Sequence, residues 1–120
     1  MRTWTLPRLL LHAEGLALFG AALVVYLHRD YSLTLALVLF LAPDLSFAGY
    51  LAGPRIGSYV YNALHTTVGP IVLGTVGLVA DESVPIAIAI IWLGHIGFDR
   101  ALGYGLKYVT AFKDTHLERV

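Results

Sequence analysis

The chain has 120 residues, 58% hydrophobic and 13% charged, with eight basic side chains against eight acidic ones and a mean hydropathy of +0.73. It is too apolar for a water-soluble domain of this length, and its balanced, scattered charge excludes the basic footprint of a nucleic-acid binder. With no cysteine, disulfides and thiolate ligands are excluded too, so any bound metal must be held by nitrogen and oxygen donors.

The predicted spans are Leu9 to Leu27, Tyr31 to Leu51, Ile56 to Val79 and Pro85 to Leu106, followed by a polar tail over 107–120. Each is about twenty residues, enough to cross about 30 Å of hydrocarbon at 1.5 Å per residue. The expected fold is all-α: one polytopic membrane domain, a bundle of four transmembrane helices. Arg2 and Arg8 ahead of the first apolar run also suit a cleaved leader, but His12 and Glu14 interrupt that run, so a retained helix is expected. Ala13, Ala17 and Ala21 on the first span, and Gly94, Gly97, Ala101 and Gly105 along the fourth, are small enough for close helix packing or for a homodimer seam. In the second span, Pro43 should bend the helix just before Asp44. Trp4, Tyr104, Tyr108 and Phe112 read as interfacial anchors.

Four crossings put both termini on one side. That side carries Arg2, Arg8, Arg55, Arg100, Lys107, Lys113 and Arg119, whereas the other has only Arg29 beside the acidic loop Asp81-Glu82. The positive-inside rule then places both termini in the cytoplasm. Measured from those ends, Glu14, Asp44, His65, His95 and Asp99 lie at similar depths of about 7 to 17 Å at 1.5 Å per residue. Charged groups at bilayer depth are expensive and usually mark a functional interior. His95 and Asp99, four apart, share one helix face.

Imidazoles and carboxylates converging from separate helices match a first-row metal site inside a bundle. The expected ligands are Asp44, His65, His95 and Asp99 around a divalent ion such as zinc or manganese. Glu14 is the candidate catalytic base, or else a further ligand or an outer partner of a histidine; Tyr61 and Asn62 are candidate outer partners of the ligands, and Arg55, Arg100 and Lys107 suit a lipid phosphate headgroup. The same residues also admit plainer roles: an ion pair for His95/Asp99, interhelical hydrogen bonding for Tyr61/His65, a helix cap for Asp44, and solvated or interfacial positions for His12, His28 and His116.

The runs APDLSFAGYLAGPRIG, YNALHT, HIGFDRALGYGLKY and DTHLERV resemble the small bacterial membrane proteins grouped as domain-of-unknown-function family 4260, over nearly the whole chain. That likeness implies a bacterial inner-membrane protein and assigns no activity. The order Pro-Asp, His-Thr and His-x-x-x-Asp is also similar to membrane-bound metal-dependent hydrolases of the YdjM type, which implies the same four residues as metal ligands. Ser46 stands where those proteins have a second aspartate, and a single histidine follows Tyr61-Asn62, so one metal rather than a cluster is implied. Three classes remain compatible: a metal-dependent hydrolase acting on a lipid or phosphoester at the inner leaflet; a small transporter or proton/cation relay, dimeric by its packing faces; and a non-catalytic bundle binding lipid or a cofactor such as haem between His65 and His95.

Overall fold

The protein is described here as a computed structural model covering residues 4–108 and 115–119. Arg2, Phe112 and Lys113, which enter the charge count and the anchor set, lie outside the described residues. Four helical stretches are long and apolar enough to cross a membrane: Leu6–His28, Leu33–Ala52, Pro54–Val79 and Ser83–Leu102. The first is a single helix, α1 (Leu6–His28). It begins at Thr5, whose Oγ1 accepts the Arg8 N–H at 3.2 Å, satisfying one donor that the first turn would leave unpaired.

The second and third stretches are broken, and the same physics breaks both. A proline in a helix cannot donate and its ring collides with the carbonyl four residues back. Pro43 acts on Leu39, where α2 (Leu33–Leu39) ends; the chain continues as a 3₁₀ helix over Ala42–Ala52. Pro70 acts on Thr66, which is extended (ψ 149°) between α3 (Pro54–His65) and α4 (Val68–Val79). Side chains three apart eclipse in a 3₁₀ helix, so Pro43, Ser46 and Gly49 form one row. Pro43 and Ser46 are buried, and a Cβ on Gly49 would lie 2.9 Å from Val60 Cβ of α3.

The last stretch, α5 (Ser83–Leu102), is the centre of the bundle and contains more buried residues than any other helix. It stops four residues before the expected Leu106 because Gly103 takes φ 102°, a left-handed turn that costs glycine little. Gly103 N–H to Arg100 O (3.1 Å) and Tyr104 N–H to Asp99 O (2.7 Å) complete a Schellman ending. Against α1 the backbones nearly touch: a Cβ on Gly97 would lie 2.6 Å from Phe19 N and 2.7 Å from Gly15 O. Gly97 is therefore used within the chain, whereas Ala13, Ala17 and Ala21 are exposed on α1.

The polar tail, where described, folds back as a strap. Asn62 clamps the Lys107 backbone twice, its Nδ2 donating to Lys107 O and its Oδ1 accepting from Lys107 N, both at 2.7 Å. Arg8 Nε donates to Leu117 O at 3.0 Å, and Leu117, in α6 (His116–Arg119), is 0% exposed. His116 N–H donates to Leu106 O, and Leu106 N–H donates to His116 Nδ1, both at 2.8 Å. That last bond requires an unprotonated Nδ1. Burial, and then the charge of Arg100, hold His116 below its ordinary value of 6.5. The unfolded state therefore binds the proton first, so this contribution is complete above about pH 6.5 and is lost as pH falls through the lower folded value. Hydrogen exchange at Leu106 N–H, corrected for its intrinsic pH dependence, is expected to accelerate on acidification, and His116→Gln should remove that dependence.

Candidate metal centre

Each break in the helices sits beside a candidate ligand. Asp44 follows Pro43 at the start of the 3₁₀ helix, and His65 is the last residue of α3, just before the Thr66 kink. His95 and Asp99 come from one face of α5, four residues apart. Irregular backbone at membrane depth is tolerated where it is buried in protein or lines a cavity, and both breaks here turn toward the same point.

His95 Nε2 lies 3.1 Å from Asp44 Oδ1 and 3.1 Å from Asp99 Oδ2. His65 Nε2 lies 3.3 Å from Asp99 Oδ2 and 3.5 Å from Asp44 Oδ1, and the two Nε2 atoms are 3.2 Å apart. All four donor atoms fall within 4.8 Å of one another. For a tetrahedral ion with bonds of about 2.0 Å, neighbouring ligands should be about 3.3 Å apart. Five of the six edges are therefore already at the spacing of such a site.

Hydrogen bonding at His65 favours the same conclusion, while His95 Nδ1 is buried with no such outer partner among the described residues. A carbonyl can only accept, so the 2.9 Å contact between His65 Nδ1 and Tyr61 O places the proton on Nδ1. In the neutral ring, Nε2 then presents its lone pair inward, the arrangement outer partners impose on a metal-binding histidine. Two imidazolium rings could not both aim an N–H across 3.2 Å. A divalent cation held by both Nε2 atoms would balance the two carboxylates. His65 and His95 are 3% and 1% exposed, and the Asp99 and Asp44 side chains 15% and 33%, so Asp44 stands at the rim.

The other expected residues divide. Tyr61 stacks on His65 with ring centroids 3.8 Å apart and takes Lys107 Nζ 4.5 Å over its ring. Arg100 Nη2 donates to His65 O at 3.2 Å, so Arg100 and Lys107 both approach the centre. Asn62 serves the strap. Arg55 is exposed and donates to Tyr59 OH at 3.1 Å, and Glu14 is exposed on α1, outside the donor group. Haem does not suit the pair: two axial nitrogens at about 2.0 Å from one iron must be about 4 Å apart on opposite faces, not 3.2 Å. Two residues not singled out in the sequence also matter: Phe40, edge-on to His95 at 5.4 Å, and Trp92, whose Nε1 donates to Leu64 O at 2.6 Å.

No curated protein and no solved structure shows a significant match to this chain. Residues 8–120 match the family described as Domain of unknown function (DUF4260), and the chain belongs to that family.

Proposed function

We propose that this is an integral membrane metalloenzyme, holding one zinc-like ion between Asp44, His65, His95 and Asp99 and hydrolysing an ester or phosphoester carried by a lipid at the cytoplasmic leaflet. The observation that carries the reading is the set of five donor separations between 3.1 and 3.5 Å. An ion there supplies Lewis acidity and lowers the pKa of water. His65, held by Tyr61 O, and His95 and Asp99 on α5 are the fixed ligands. Asp44, the most exposed of the four, would serve as the base: it would take a proton from the incoming water as the water oxygen bonds to the ester carbon or phosphorus, and return that proton to the departing alkoxide as the ester bond breaks. Arg100 and Lys107 then face the phosphoryl oxygens, with Arg100 able to pair with two at once.

The full set of four protein donors favours a second reading, a structural ion tying three stretches together, because catalytic zinc ordinarily keeps one position open. One experiment separates the two. Detergent-purified protein is assayed for bound metal and for turnover of a lipid phosphoester in mixed micelles, before chelation, after it, and after adding back zinc or manganese. About one metal per chain and metal-restored turnover are expected. Asp44→Asn should keep the ion but lose about 10²- to 10⁴-fold in rate, the usual range for a general base. Metal bound without turnover supports the structural reading, and no bound metal overturns both.

A further inference from the structure

The centre has unlike neighbours at its two ends. Toward the chain ends lie Arg100 and Lys107. Toward the opposite end of the bundle, an apolar groove of about 190 Å³ is lined by Leu39, Ala42, Pro43, Leu64, Ile88 and Trp92 among others. Pro43 immediately precedes Asp44, Leu64 immediately precedes His65, and Trp92 lies less than one turn before His95. The groove is therefore walled by chain neighbours of Asp44, His65 and His95, from three different stretches.

Its walls offer a guest nothing polar. The Trp92 indole N–H is taken by Leu64 O at 2.6 Å, one of the last-turn carbonyls that α3 cannot satisfy itself. Water needs two to four polar partners to occupy such a space, and apolar cavities of about 150 Å³ stay dry and accept a benzene ring. The groove has room for a short length of one hydrocarbon chain.

We infer that this groove receives a hydrocarbon chain of an amphiphilic substrate, so that its ester or phosphoester lies at the His/Asp centre and its anionic head lies against Arg100 and Lys107. The inference rests on the hydrolase reading above and adds to it the site that holds the substrate's chain. Along α5 the groove residues Ile88 and Trp92, the donors His95 and Asp99, and then Arg100 follow one another in the order in which a lipid presents chain, ester and headgroup.

The test uses full-length protein carrying Trp4→Phe, which leaves Trp92 as the sole tryptophan, reconstituted in phosphatidylcholine vesicles. Dibrominated stearoyl lysophosphatidate is titrated in as a contact quencher of Trp92. Saturable quenching is expected. Ala42→Phe and Ile88→Phe, which fill the groove from opposite walls, should raise the half-saturating fraction at least about tenfold, the effect of displacing two buried methylenes. Bound zinc, measured on the same samples, should be unchanged and shows that the variants remain folded. Quenching that rises linearly, or that is the same in both filled variants, overturns the groove. Saturable, groove-dependent quenching in protein that binds no zinc upholds the chain site while removing the metal reading, so the two failures are distinguishable.

Discussion

His95→Ala is expected to empty the centre. His95 is 1% exposed and holds three of the short edges, to Asp44, Asp99 and His65. Loss of an outer partner already costs a metal site about 10- to 100-fold in affinity, so loss of this ligand should cost more than about 100-fold. Stability falls too, because the variant leaves Asp44 and Asp99 facing one another without their shared donor. Breaking a fully buried pair costs about 3 to 5 kcal/mol; with Asp44 one-third exposed, about 2 to 4 kcal/mol is the expected loss. Elemental analysis and thermal unfolding with and without zinc check both effects. Ligand present at 100 times its dissociation constant stabilises by about 2.7 kcal/mol, so the wild-type protein should show a zinc-dependent rise in melting temperature that the variant lacks. His12→Ala is the control: His12 Nδ1 meets Ala101 O at 3.0 Å, away from the donor group, and zinc binding should survive its loss. Wild-type zinc affinity in His95→Ala would sink the centre.

The four spans and the convergence of Asp44, His65, His95 and Asp99 were readable because both follow from one-dimensional rules. A helix of known rise fixes depth from residue count, and ionisable groups in an apolar run demand partners. What could not be read depended on contacts between distant residues. Pro43 announced a bend, but not that the chain would continue in 3₁₀ form for the rest of that span, which rests on the Ser46 and Gly49 row fitting against α3. Pro70 marked the interior of a span, and its steric effect is expressed at Thr66, beside His65. The polar tail gave no sign of burial, since Leu117 becomes buried and His116 half-buried through Arg8 and Leu106 and not through any local pattern. Glu14 shares the depth of the site, but helix depth does not fix rotation: Gly15, the next residue, is the one turned against Gly97 and Arg100, leaving Glu14 exposed.

That rotation makes the second large effect a packing one. Gly97 lies midway between His95 and Asp99, on the side of α5 that meets α1. Even the single Cβ of Gly97→Ala would sit 2.6 Å from Phe19 N, 2.7 Å from Gly15 O and 3.1 Å from Leu18 Cβ. Two of these are backbone atoms of a continuous helix and cannot swing aside as a side chain could, so α1 and α5 must separate or α5 must turn. Overpacking of this kind costs about 1 to 3 kcal/mol, and turning α5 displaces two ligands together. Gly97→Ala is therefore expected to lose both melting temperature and at least about tenfold in zinc affinity, since about 1.4 kcal/mol of misplacement is enough for that factor. Gly15→Ala should behave alike, because its Cβ would meet Ala101 N at 2.7 Å and Gly97 O at 2.8 Å. Gly20→Ala, also on α1, has nothing within 4 Å of the added carbon and should be neutral or gain up to about 1 kcal/mol from the better helix former. Unfolding titrations in detergent with zinc binding measured in parallel compare the three. Equal behaviour of Gly97→Ala and Gly20→Ala would mean that the α1/α5 seam does not hold the ligands in register.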